Sequence, residues 1–196
     1  MRTESAMTSL GAFVIVAMCI GVIGCASAPM SSSEVENQRE EVLDMARQTR
    51  VQFSERYPHL LATIDNAAGS AVFSNFGFKF LFMGSANGEG VAHNNISGKN
   101  TFMKMVELQP GFGFGAQQFK VLFVFETEQA FDQFVNSGWE FGSNLKATAG
   151  SDSQGVGAQY GVIVSPGVTM YQLDNTGVIV GVSLTGAKYY KDDALN

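Results

Sequence analysis

The sequence predicts an α+β fold, in which an antiparallel, barrel-like β-sheet follows N-terminal helices and one further helix is inserted among the strands. Two observations predict it. Before Gly69 apolar residues recur at helical spacing, whereas after Gly69 short apolar runs alternate with glycines. Many short strands with few connecting helices favour an antiparallel sheet over parallel β-α-β units. Glycines at bends in the strands are consistent with closure into a barrel.

Residues 1–24 have the pattern of a secretory signal peptide. Arg2 precedes an uncharged apolar run over residues 10–24, which is shorter than the roughly 20 residues of a membrane-spanning helix. The run ends in V-I-G-C, and small polar residues follow Cys25. This pattern resembles the lipobox of bacterial lipoproteins. It implies cleavage before Cys25, acylation of Cys25 with chains such as palmitate, and a lipidated tether over residues 25–33. An ordinary signal peptide with a chance cysteine, or an uncleaved anchor, is the alternative.

The lipobox resemblance also implies a location and limits the chemistry. Ala26, rather than an aspartate, follows the cysteine, which resembles lipoproteins sorted to the outer membrane of the bacterial cell envelope, facing the periplasm. Cleavage would remove Cys19 and acylation would use Cys25, so no thiol would remain for a disulfide, a redox site or a metal site. The formal net charge of −6 excludes a nucleic-acid partner.

The first helix of the domain is predicted over residues 34–56. Ser33 and Glu36 form an S-x-x-E capping box at its start. One apolar stripe follows at helical spacing and comprises Val35, Val42, Ala46, Thr49 and Phe53. The stripe could pack on the domain or lie on a membrane near the anchor. Acidic residues outnumber basic ones on the polar face, which favours packing on the domain.

Two further helices and ten strands are predicted after it. The second helix begins near Pro58, carries Leu60, Leu61 and Ile64, and ends at Gly69. The inserted helix is capped by Thr127, buries Ala130, Phe131 and Phe134, and ends before Gly138. The strands are predicted at residues 70–75, 79–83, 90–94, 101–109, 111–125, 138–149, 156–164, 168–173, 178–185 and 187–190.

Residues 110–118, P-G-F-G-F-G-A-Q-Q, satisfy the letters of a dinucleotide-binding fingerprint. That site needs a helix directly after the glycine turn, and here the following residues are β-branched or aromatic. The stretch is therefore predicted to be a strand that carries Phe112 and Phe114 on one face and bare glycines on the other. A bare face lets another element or a ligand approach the backbone closely.

The same stretch begins an ordered set of motifs. G-F-G-F-G-A-Q at residues 111–117 is followed by K-V-L-F-V-F-E-T-E-Q-A-F-D-Q-F-V at residues 120–135 and G-W-E-F-G-S-N at residues 138–144. With smaller matching pieces on both sides, the set resembles the SYLF lipid-binding domain family, in particular its bacterial lipoprotein branch. The resemblance covers residues 57–196 and implies a phospholipid-binding domain. Eukaryotic members are associated with phosphoinositides and actin, neither of which an exported acidic chain would meet.

Lipid binding would use apolar surface together with a few cations. The candidates are Phe112, Phe114, Trp139, Phe141, Lys104, Lys120 and Lys146. The alternative for the aromatic residues is core packing, since a domain of this size needs large buried groups.

A catalytic or metal site is not predicted. His59 and His93 are isolated, and no nucleophile elbow or metal-ligand spacing occurs. The chain is therefore predicted to be a non-enzymatic protein without a cofactor, anchored to a phospholipid membrane and binding phospholipid through its domain. The alternative is a structural lipoprotein whose bare glycine face docks a protein partner in the envelope.

Overall fold

A computed structural model describes residues 30–141, 161–174 and 186–196. These residues form an α+β fold with a curled antiparallel sheet, as the sequence predicts. The elements are α1 (Ser32–Arg56), α2 (Leu60–Asn66), β1 (Gly69–Asn94), β2 (Asn100–Phe125), α3 (Glu128–Ser137), β3 (Trp139–Phe141), β4 (Val162–Ser165), β5 (Val168–Asp174) and β6 (Ala187–Lys191).

The N-cap of helix α1 lies two residues before the predicted N-cap, Ser33. Its N-cap is Ser31, whose backbone N–H donates to Glu34 Oε2 at 2.7 Å while its hydroxyl accepts from the Glu34 N–H. The predicted Ser33–Glu36 box was wrong because three consecutive serines offer more than one S-x-x-E frame. The predicted stripe is confirmed: Val42, Ala46, Thr49 and Phe53 are buried, and Val35 is partly buried.

The other two helices lie where the sequence predicts them. In α2, Leu60 and Ile64 are buried, but Leu61 is exposed, which corrects the prediction that all three face the core. In α3, the Thr127 hydroxyl accepts a hydrogen bond from the Ala130 N–H at 3.2 Å. Gly138 follows its last turn with a φ of 66°, a conformation that favours glycine. None of the helices in the described ranges is long and apolar enough to cross a membrane.

The two longest strands are longer than predicted. Residues 70–75, 79–83 and 90–94 belong to one 26-residue strand, β1. Residues 101–109 and 111–125 likewise belong to one strand, β2. The glycines and polar residues between these segments had been interpreted as the ends of strands. The two strands pair along almost their whole length instead, with one register shift between Leu81 and Met83, where Leu81 has a φ of 57°.

The shorter predicted strands at 168–173 and 187–190 are confirmed, whereas those at 138–149 and 156–164 are tested only over residues 138–141 and 161–164. Strands β5 and β6 lie within a residue of the predicted positions. Strand β4 overlaps the end of the strand predicted at 156–164, and β3 begins the strand predicted at 138–149. The strand predicted at 178–185 lies outside the described residues.

Strand β2 is the centre of the sheet. One of its edges pairs with β1, and the other pairs with β6 near residues 103–107 and with β5 near residues 119–125. Strands β3 and β4 extend the sheet beyond β6 and β5, respectively. Residues that alternate along β2 therefore point to two different sides of one continuous sheet.

The sheet curls because the two halves of β1 lie against each other. A Cβ on Gly88 would lie 2.7 Å from the Ser74 carbonyl oxygen, and a Cβ on Gly69 would lie 2.7 Å from that of His93. Next to them, the Asn95 N–H donates to the Ala68 carbonyl at 3.0 Å. When the halves of β1 and β2 are counted separately, the described strands form a half-barrel of eight.

Two apolar cores lie on the two faces of the sheet. On one face, Phe73, Phe123 and Phe125 pack against Phe131 and Phe134 of α3. On the other face, α1 and α2 cover a second cluster of strand residues, namely Val72, Val91, Phe102, Leu122, Val124, Tyr171 and Leu173. Helix α1 therefore packs on the domain. The part of this second face that α1 and α2 do not cover is exposed.

Candidate functional site

The middle of the β1–β2 ribbon exposes several large apolar side chains, here called the apolar bend. Met83 is 71% exposed, Leu108 63%, Phe76 59% and Phe78 55%. The full set comprises Phe76, Phe78, Leu81, Met83, Val106 and Leu108. Clusters of apolar side chains on a protein surface mark sites that contact a partner or a membrane.

The strand register makes the apolar bend continuous. Ser85 pairs with Leu108, so Met83, two residues earlier on the same face, is a diagonal neighbour of Leu108. Val106 follows on the same face of β2 and shares a groove with Phe76. Apart from Leu81, which lies at the register shift, these side chains lie on the face of the sheet that α1 covers elsewhere, because Val91 and Phe102 of that face pair directly and pack under the helix.

A groove of about 530 Å³ lies between α1 and this end of the sheet. Met45 of α1, Phe76 and Val106 give it apolar walls, while Glu89 and Lys104 bring opposite charges to it. The ammonium of Lys104 lies 3.0 Å from Asp192 Oδ1, and Glu89 Oε2 accepts a 3.4 Å hydrogen bond from Gln38.

The C-terminal segment holds Lys104 in place. Asp192 is 4% exposed, and its backbone N–H donates to the Phe102 carbonyl. The side-chain amide of Asn196 donates to the same carbonyl, and its oxygen accepts from the Phe102 N–H. Arg39 Nε donates to the Leu195 carbonyl and so ties α1 to this segment. Backbone pairing thus buries Asp192 although it lies near the end of the chain.

Three of the predicted lipid-binding residues have described side chains. Lys104 lines the groove, and Lys120 Nζ donates to Gln52 Oε1 of α1 at 2.6 Å. Partial burial lowers the pKa of Lys120. Trp139 packs partly buried against the aromatic core, with ring centroids 5.5 Å from Phe134 and 6.2 Å from Phe123. Lys104 is thus next to the apolar bend, and Trp139 is on the opposite face.

The remaining candidates are placed only by their backbone or not at all. Phe112 and Phe114 lie in the middle of β2, where Phe114 pairs with Phe80, and Phe141 ends β3. Their side chains are outside the description, as are Lys146 and Cys25 altogether. The glycine-phenylalanine stretch is a strand, as predicted, which removes the dinucleotide loop.

Sequence reasoning missed Phe76 and Phe78, although the sequence carries a signal for them. Phenylalanine recurs at every second position in N-F-G-F-K-F-L-F, residues 75–82, which puts the rings on one face of a strand. The strand prediction stopped at residue 75 and resumed at residue 79, so the first two rings fell in a presumed loop.

The polar residues elsewhere do not form a reactive cluster in the described ranges. His93 Nδ1 lies 2.7 Å from Asn100 Oδ1, a contact that links the two ends of the β1–β2 turn. No group of three or more metal-binding side chains occurs among the residues described. Burial, with a smaller contribution from Glu107, raises the pKa of Tyr189 well above its ordinary value, so its phenol stays protonated.

Comparisons with known proteins agree with the motifs quoted from the sequence. Residues 106–196 match the Ysc84 family model, described as "Las17-binding protein actin regulator". Beta cell expansion factor A of Aeromonas veronii is 30% identical over 166 residues, which cover 85% of this chain. The chain spans 62% of the length of that relative. The resemblance to SYLF domains is thereby confirmed.

Proposed function

Because residues 106–196 belong to the Ysc84 (SYLF) family of lipid-binding or actin-regulatory domains, we propose that this chain is a non-catalytic phospholipid-binding protein. The single observation that carries the proposal is the apolar bend. Its side chains are held by a paired ribbon, so they present a rigid apolar edge that can insert between lipid headgroups.

The energetics of insertion favour several side chains acting together. Full burial of one large apolar side chain stabilises by roughly 1.5–3 kcal/mol, so the exposed half of each would contribute about 1 kcal/mol. Phe78, Met83 and Leu108 then offset a substantial part of the cost of immobilising the protein at a surface. Loss of two of these side chains should weaken binding strongly.

Lysines next to the apolar bend support the proposal. Val106 pairs across the sheet with Lys188 of β6, whose side chain is exposed. Lys104 is two residues from Val106 on the same face of β2. A lysine near an anionic membrane surface contributes on the order of 1 kcal/mol. The net charge of −6 limits this contribution, so apolar contact dominates.

The proposal includes a lipid anchor at Cys25 that keeps the domain at the bacterial outer membrane, facing the periplasm. Its support is the lipobox-like V-I-G-C and the residue after the cysteine, Ala26. In that location the chain would not meet Las17 or actin, which the family's description names. The apolar bend would act on the membrane to which the chain is anchored.

Vesicle flotation tests the proposal without the anchor. The fragment from Ser31 to Asn196 keeps the N-cap of α1 and should float with phospholipid vesicles. Phe78→Thr/Met83→Thr removes two exposed apolar side chains while threonine suits a strand, and it should lower the partition constant for vesicles at least about tenfold, because two contributions of about 1 kcal/mol are lost. Ile163→Thr in β4, where the side chain is 69% exposed, is the matched control and should bind normally.

A fragment that shows a folded circular dichroism spectrum but does not float with either zwitterionic or anionic vesicles would refute phospholipid binding. The alternative, a protein partner in the envelope, would then gain support if one stoichiometric protein were captured by the fragment and lost with Phe78→Thr/Met83→Thr. Equal flotation of this double variant and of Ile163→Thr would show that the apolar bend is not the contact surface.

A further inference from the structure

The groove beside α1 contains a row of three complementary side chains across neighbouring strands. Glu89 of β1 pairs with Lys104 of β2, and Lys104 pairs with Tyr190 of β6. Directly paired residues point to the same face, and neighbouring strands are about 4.8 Å apart. A carboxylate, an ammonium and a phenol therefore emerge side by side, and all three line the groove.

Both charged groups retain the capacity to bind a ligand. Lys104 contacts Asp192 at 3.0 Å, but an ammonium has three donors and the side chain is 42% exposed. Glu89 accepts a 3.4 Å hydrogen bond from Gln38, whereas a carboxylate can accept about four. The Tyr190 hydroxyl adds a donor beside Lys104.

We propose that this groove binds the headgroup of a zwitterionic phospholipid of the phosphoethanolamine class, with the phosphate at Lys104 and the ammonium at Glu89. Two carbons separate the two charges of this headgroup, a distance close to one inter-strand spacing. A phosphoglycerol headgroup carries the same phosphate but no ammonium, so Glu89 would have no cation to compensate its charge. The apolar walls formed by Met45, Phe76 and Val106 take the first carbons of the acyl chains.

This inference rests on the proposed function, since it specifies which phospholipid the chain selects. It predicts a preference for the ethanolamine headgroup over an anionic headgroup, which a purely apolar contact would not produce. Removal of the Glu89 charge should weaken binding of the zwitterionic lipid and leave the apolar contact intact. An exposed ion pair contributes up to about 1 kcal/mol, so the expected preference is about fivefold.

The test uses the full chain held in an amphipathic polymer free of phospholipid. Dihexanoylphosphatidylethanolamine and dihexanoylphosphatidylglycerol, each below its micelle concentration, are titrated and followed by ³¹P NMR. The chain should bind the ethanolamine lipid about fivefold more tightly. Glu89→Gln should abolish the preference and Glu89→Asp should retain part of it. Glu55→Gln, which removes an exposed acid at the end of α1, is the matched control.

Equal dissociation constants for the two lipids, or an unchanged preference in Glu89→Gln, would overturn the headgroup assignment. The proposed function would survive that result if vesicle flotation still depended on Phe78 and Met83. Conversely, Phe78→Thr/Met83→Thr changes no lining residue of the groove and should keep the preference for the short-chain ethanolamine lipid. Failure of the headgroup assignment and failure of bilayer insertion are therefore distinguishable.

Discussion

Gly88 shows how one missing side chain determines the curl of the sheet. The space that its Cβ would occupy is filled by the side chain of Asn75, and the Ser74 carbonyl is close by. Both contacts come from the other half of the same strand, so the two halves can approach only where one side chain is absent. A glycine read in the sequence as a strand break is instead a contact point between halves of one strand.

Replacement of Gly88 by alanine should therefore destabilise the protein. Overpacking of a close contact costs typically 1–3 kcal/mol, and here backbone atoms limit relaxation. Urea unfolding followed by circular dichroism measures the change. Asn87→Ala, at the neighbouring exposed position, should stay within about 0.5 kcal/mol of the native chain. Asn75→Ala/Gly88→Ala should recover part of the loss because the obstructing amide is gone. A Gly88→Ala chain as stable as Asn87→Ala would contradict the close approach.

Single residues of the candidate site were only partly predictable from sequence. Lys104 was found because a lysine beside apolar strand residues indicates a membrane-facing cation. Its neighbour Asp192 was missed, because its burial depends on pairing with Phe102, far away in the sequence. Trp139 was chosen for its chemistry, but its position against Phe123 and Phe134 follows from the curl of the sheet.

Helices were more predictable than strands because their signals are local. The stripe of α1 and the Thr127 cap of α3 each lie within a few turns of chain, and both are confirmed. The lengths of β1 and β2 depend on hydrogen bonds between residues up to 56 positions apart, such as the pair Gly69 and Phe125. The composition of a short stretch of sequence does not show pairing between residues so far apart. The glycine-rich stretches were therefore predicted to be the ends of strands.

The start of α1 should respond to pH through Glu34. Hydrogen bonds from the Ser31 backbone N–H and hydroxyl favour its carboxylate and lower its pKa. The carboxylate therefore stabilises the first turn at pH above the ordinary glutamate pKa, and this stabilisation is lost as pH falls through the lower pKa of the folded helix. Backbone NMR shifts of residues 32–35 should report fraying over that range.

Glu34→Gln provides the control for this titration, since an amide keeps the shape of the side chain without its charge. Its first turn should fray equally at all pH values, with shifts that do not titrate. Glu40→Gln, in the middle of the same helix, should leave the titration unchanged. Titration that persists in Glu34→Gln would assign the pH dependence to another group.

In the whole molecule, the groove and the apolar bend lie within a short length of chain of the proposed lipid anchor at Cys25. Residues 25–31 can span at most roughly 20 Å when fully extended. From Ser31 to Gln38, which contacts Glu89 at the groove, α1 adds about 10 Å. An anchored Cys25 would thus keep the groove within roughly 30 Å of the bilayer. Anchor and apolar bend can act on the same membrane, which would make the second contact effectively intramolecular.

Loss of the anchor should therefore release most of the protein. Each buried acyl CH₂ contributes on the order of 0.8 kcal/mol, so the chains on Cys25 would dominate membrane attachment. Cys25→Ala should move the chain from the membrane fraction to the supernatant and abolish labelling with a palmitate analogue. Cys19→Ala, a cysteine-to-alanine change within the segment predicted to be cleaved, should leave both unchanged. Residual attachment of Cys25→Ala should disappear when Phe78→Thr/Met83→Thr is added, whereas full retention with an uncleaved amino terminus would refute the lipoprotein assignment.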